Sequence, residues 1–154
     1  MYITVHAAAG AAISQFSQNQ LLVFILAVFS HFFLDTIPHG DEWIKDWKLF
    51  KKQSHRTIVA GFIDFLCVAI ISIFWIRWTE IENISSLAAG IAGAIAPDAL
   101  WGFHSITQSP VLEWYRRLHT RIHKIFFKKR ISPKAGFLLQ GILLAIFSLI
   151  IAKF

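Results

Sequence analysis

Apolar residues in this chain come in long unbroken runs separated by short polar or basic stretches, with no strict alternation anywhere. The runs cover roughly 2–16, 20–37, 57–78, 85–103 and 134–152. Each is long enough, or nearly so, to cross a hydrocarbon core as a helix of about 20 residues. Barrel strands would instead show a period of two. The pattern therefore predicts an all-α protein, a polytopic bundle of about five transmembrane helices. The first run is short and crowded with small residues from Ala7 to Ala12, and the polar turn Ser17-Gln18-Asn19-Gln20 follows it. This predicts a helical hairpin with the second run, the first helix being thin or partly re-entrant. Small residues recur at Gly90, Gly93, Ala94 and Ala96. Small faces let backbones approach closely in lipid, so the first and fourth helices are expected at the bundle's centre.

Composition strengthens the membrane reading: 56% of the residues are hydrophobic and 16% charged, with a mean hydropathy of +0.57, outside the range of ordinary soluble domains. All 154 residues fit one integral membrane domain. Of the 15 Lys and Arg residues, thirteen lie in two stretches, 45–56 and 116–134. If all five runs span, both stretches emerge on one face, which the positive-inside rule makes cytoplasmic. The N-terminus falls on that face too. Trp75 and Trp78 then mark the outer interface, and Trp43, Trp47, Trp101 and Trp114 the inner one. The segment 113–130 reads as a basic interfacial helix carrying Trp114, Tyr115, Leu118 and Ile122, suited to anionic lipid. Positive-inside bias accounts for the net charge of +6, so no nucleic-acid partner is expected. No basic n-region precedes the first run, so no cleavable signal peptide is expected. Cys67 reads as a small packing residue of the third helix.

Ionisable residues inside a bilayer are costly and need partners or a function. His31 and Asp35, four residues apart, share one helix face. His39 and Asp41 follow just past Pro38, where that helix must end. His6 lies near the start of the first helix. Asp64 falls about 10 Å into the third helix at roughly 1.5 Å per residue, and Asp98 sits similarly in the fourth. All converge at the cytoplasmic depth. Imidazole and carboxylate together suit a divalent metal, with Zn the leading expectation and Mn or Fe the alternatives. More than four candidates allow one ion or two. His119 and His123, on one face of the basic helix, are further candidate ligands.

The elements His6 with Gly10, Ser30-His31 to Asp35 with Pro38-His39-Gly40-Asp41, and Gly93-Ala94-Ile95-Ala96-Pro97-Asp98 resemble those of the membrane-bound metal-dependent hydrolases, small bacterial inner-membrane proteins. The resemblance covers about the first hundred residues. It implies a helical membrane fold and a metal-dependent hydrolase, with His6, His31, Asp35, His39, Asp41 and Asp98 as its polar motif positions. Ser54-His55-Arg56-Thr57 departs from the family's pattern, since no second His follows.

The expected function is hydrolysis of a phosphoester, or of a carboxylic ester, in a lipid or other amphiphilic substrate at the cytoplasmic face. His31, Asp35, His6 and Asp98 would hold metal, and Asp64 or Asp41 would bind a second ion or act as general base. Arg116, Arg117, Arg121 and Lys124 would meet an anionic headgroup. A divalent-cation or proton-handling transporter and a non-catalytic membrane scaffold are the alternatives, and a homo-oligomer is compatible with the sequence.

Overall fold

The computed structural model of the chain describes residues 1–40, 53–124 and 131–153, the side chains of 53–58 and 123–124 excepted. Asp41, Trp43 and Trp47, and the side chains of His55, His123 and Lys124, lie outside the described residues. Among the described residues six α-helices follow one another: α1 Ile3–Ser14, α2 Gln20–Asp35, α3 Gln53–Trp78, α4 Ile84–Thr107, α5 Glu113–Lys124 and α6 Pro133–Lys153, with a 3-10 turn at Pro110–Leu112 before α5. No strand occurs among the described residues. Local chemistry sets the helix starts. Asn19 caps α2 by accepting from the Leu22 N–H at 3.1 Å, and Asn83 caps α4 through the Ser86 N–H at 2.9 Å.

The polarity is inverted relative to a water-soluble protein. Phe33 and Leu149 stand 71% and 70% exposed, whereas His6, His31, Asp35 and His39 are wholly buried. Large apolar side chains on the outside and ionisable ones within are consistent with an integral membrane protein, in which lipid covers the outer surface. Among the described residues three segments are long and apolar enough to cross a membrane: Val59–Trp78 of α3, Ile84–Thr107 and Pro133–Lys153. Of the five expected spans, three reach that length among the described residues, and α1 and α2 are shorter apolar helices. The 12 residues of α1 and the 16 of α2 reach about 18 and 24 Å at 1.5 Å per residue, short of a core of about 30 Å.

One of the two shortest helices is also thoroughly enclosed. Residues 4–12 of α1 are all buried, packed by α2, α3, α4 and α6. Absence of side chains makes this possible: a Cβ at Gly10 would lie 2.6 Å from the Gly90 carbonyl carbon and 2.9 Å from the Ala94 Cβ. A Cβ at Gly93 would come within 3.0 Å of the Phe24 Cα, so α2 and α4 touch nearly backbone to backbone. The expectation that the first and fourth helices pack centrally agrees with this geometry. At the end of α1 away from His6, Ala8, Ala11 and Ala12 pack with Trp75, Leu87 and Ile151. Trp75 is therefore a core residue and does not mark an interface, while Trp78 is exposed. Cys67, expected as a packing residue, faces outward, because helix rotation and not residue size decides which side of α3 meets the bundle.

Candidate metal centre

Four side chains from three helices converge beside the start of α1. Helix α2 supplies His31 and Asp35, α4 supplies Asp98 and α5 supplies His119, with one ligand atom of each within 4.8 Å of all the others. His31 Nε2 lies 3.0 Å from Asp35 Oδ2, 3.4 Å from His119 Nε2 and 3.7 Å from Asp98 Oδ1. His119 Nε2 lies 3.4 Å from Asp98 Oδ1 and 3.9 Å from Asp35 Oδ2. A tetrahedron with metal–ligand bonds of about 2.0–2.1 Å has edges of about 3.3–3.4 Å. The five separations bracket that value. Two imidazoles and two carboxylates also match the donors that Zn, Mn and Fe accept, and the two negative charges balance a divalent cation. The residues present fit such an ion.

Backbone and neighbouring side chains aim these donors. His31 Nδ1 is 2.8 Å from the Ala94 carbonyl, which can only accept, so Nδ1 carries the proton and Nε2 presents its lone pair to the cluster. Two carbonyls of α4, at and just before Pro97, also take side-chain donors. Ala94 O serves His31, and Pro97 O accepts from the Tyr115 hydroxyl at 2.8 Å. Asp35 divides its two oxygens. Oδ2 faces His31, whereas Oδ1 meets His6 Nε2 at 3.1 Å and the terminal amine of Met1 at 2.9 Å. The His6 ring stacks on His31 with centroids 4.0 Å apart. His6, expected as a ligand, thus stands behind Asp35 and orients it. Of the four donors only Asp98 is appreciably exposed, its side chain at 24%. The rings of Phe32, Trp101 and Tyr115 surround His119, at 5.9, 6.5 and 5.9 Å between centroids.

Other expected residues lie elsewhere. Asp64 accepts from the Ile3 N–H at 2.5 Å and the Thr4 N–H at 3.0 Å, and also meets the Thr4 hydroxyl. It caps α1 from a neighbouring helix, so its carboxylate is engaged away from the four donors and does not face them as a base. Gln140 completes this cap, accepting from the Tyr2 N–H at 2.8 Å and donating to the His39 carbonyl at 2.9 Å. His39 is buried past the end of α2, its Nδ1 2.6 Å from the Ile37 carbonyl, and is not among the four donors. His104 pairs with Glu113, Nε2 to Oε2 at 3.2 Å.

Arg116 and Arg117 both hold Glu113, at 2.6 and 2.9 Å. Arg116 and then Arg117 keep the Glu113 carboxyl well down, at about 2 against an ordinary 4.5, and Glu113 in turn raises Arg116. Burial pushes the Tyr115 hydroxyl up. Arg117 and Arg121 are exposed and stand two positions either side of His119, which at about 100° per residue puts them on the far side of α5 from the centre. The expected headgroup role at the centre therefore does not suit them. Tyr115, expected on the lipid-contacting helix, turns inward instead, and Gln140 was passed over, its only signal being a polar side chain in an otherwise apolar helix. A cavity of about 250 Å³ bounded by Ser14, Gln18, Glu82 and Asn83 lies at the opposite end of α1.

No family model, curated protein or solved structure matches the chain.

Proposed function

We propose that this chain is a metal-dependent hydrolase of the bacterial inner membrane, with its N-terminus on the cytoplasmic side, cleaving a phosphoester of a lipid or other amphiphilic substrate. The observation that carries the reading is the set of near-tetrahedral separations among His31, Asp35, Asp98 and His119. A divalent ion there, Zn first, would supply Lewis-acid polarisation of a phosphoryl oxygen and lower the pKa of an attacking water. The chain's own residues do the rest. His31 and His119 offer ring nitrogens, Asp35 is held by His6, and Asp98, the exposed one of the four donors, borders the side from which water and substrate would reach the ion. Phe32 and Trp101 beside His119 offer apolar surface to an acyl chain. The donors come from the last turns of α2, from α4 just past Pro97 and from the basic helix α5, as an enzyme acting at headgroup depth requires.

The test is elemental analysis of chelator-free protein together with phosphate release from phospholipids and polyprenyl phosphates in nanodiscs. Wild type is expected to hold near-stoichiometric divalent metal and to turn over. Paired His31→Ala and Asp35→Ala substitutions should abolish both. Turnover that survives in the metal-free variant would overturn the proposal. So would a metal-loaded wild type that turns over no substrate while passing divalent ions across a proteoliposome membrane.

A further inference from the structure

Helix α5 has two faces with different chemistry, and only one is used by the bundle. Its inner face carries Tyr115 and His119, buried four residues apart, and His119 is the sole donor of the candidate centre that does not come from α2 or α4. Other polar contacts also hold α5 down: the Tyr115 hydroxyl on the Pro97 carbonyl at 2.8 Å and His104 against Glu113 at 3.2 Å. The outer face carries Trp114 at 64% exposure and Leu118 at 44%, with the exposed Arg117 and Arg121. These four are spaced three and four apart and so form one stripe. Trp and Leu beside Arg is the composition of a helix lying in the headgroup region, apolar side chains dipping inward and guanidiniums holding phosphates. Charge favours an anionic surface, since α5 carries Arg116, Arg117 and Arg121 and a single carboxylate, Glu113, which pairs with the first two.

We infer that α5 links metal loading to an anionic lipid surface: the helix docks its His119 face on the centre and its Trp114–Arg121 face on acidic headgroups, each contact strengthening the other. This rests on the metal-centre reading of the proposed function. The physical reason is rotational. Docking on the bundle fixes α5 about its long axis, so the outward stripe is already presented to lipid. An undocked helix must spend ordering entropy to satisfy either face. Linkage is reciprocal, so lipid that favours the docked helix must raise metal affinity by the same factor that metal raises lipid affinity.

The experiment measures Zn²⁺ affinity of the full chain in nanodiscs by competition with a chelating dye, empty discs serving as blanks. One disc is phosphatidylcholine alone and the other includes phosphatidylglycerol. Zn²⁺ is expected to bind about fivefold or more tightly in the anionic disc, within the usual range of coupling, and the preference should shrink as salt is raised. Arg117→Gln with Arg121→Gln should remove the preference while leaving affinity in the neutral disc unchanged. His119→Ala should weaken binding in both discs and equalise them. Equal wild-type affinity in the two discs, or a preference that survives the Gln pair, overturns the inference while leaving the metal centre standing. Absence of Zn²⁺ binding in both discs overturns the centre and the inference with it.

Discussion

Replacing Asp64 separates a structural carboxylate from a catalytic one. Its oxygens take the Ile3 and Thr4 N–H groups at 2.5 and 3.0 Å, two of the four donors that a helix start leaves without intrahelical partners. Asp64→Ala strands both inside the bundle. An unsatisfied donor costs about 1–3 kcal/mol, and because the contacts are only partly buried the low end applies, giving about 2–3 kcal/mol for the pair. Loss of a carboxylate at the positive end of α1 adds to this in the same direction. At about 2–4 °C per kcal/mol for a chain of this length, Tm should fall by about 5–10 °C. Asp64→Asn keeps one carbonyl acceptor and should lose about half as much. Thermal unfolding in one detergent, followed by circular dichroism, reads the shift, and elemental analysis at low temperature reads the metal. Metal content should stay at the wild-type level in both variants. A variant with wild-type Tm but no metal would refute the capping assignment and return Asp64 to the metal site.

Three further outcomes follow from other contacts. Gly10→Ala drives a Cβ to 2.6 Å from the Gly90 carbonyl carbon, where neither backbone can give way without parting the helices, and should cost about 1–3 kcal/mol. Gly102→Ala meets nothing within 4 Å and should stabilise by about 0.5–1 kcal/mol. Equal Tm values for these two variants would contradict the close α1–α4 contact. The Glu113 carboxyl, depressed to about 2, should keep its pairing above pH 4.5 and lose it as pH falls through about 2. A carboxyl ¹³C titration with its midpoint near 4.5 would rule that pairing out. Tyr115→Phe removes the bond to the Pro97 carbonyl, worth about 0.5–1.5 kcal/mol, and should weaken Zn²⁺ binding by up to about tenfold. Unchanged affinity would show that this bond does not help to dock α5.

Helix content and the membrane character were legible in the sequence because both are local: apolar runs and their lengths need no knowledge of neighbours. The pairing of His31 with Asp35 was equally local, since a spacing of four residues puts both on one helix face whatever surrounds them. The bias of His and Asp toward one end of the apolar runs pointed to Asp98 as well. Beyond that, rotation about each helix axis decided the outcome. One residue turns a side chain by about 100°, and the angle is set by which small faces close on one another, as Gly10 does on Gly90. That packing turned Trp75 inward and Cys67 outward, made Asp64 a cap for α1 and put His6 behind Asp35. It also brought His119 to the centre while sending Arg117 and Arg121 away from it. The sequence by itself determined which residues could meet at one depth. The tertiary structure alone decided which of them do, because a shared depth constrains position along the helix axis and leaves the direction around it free.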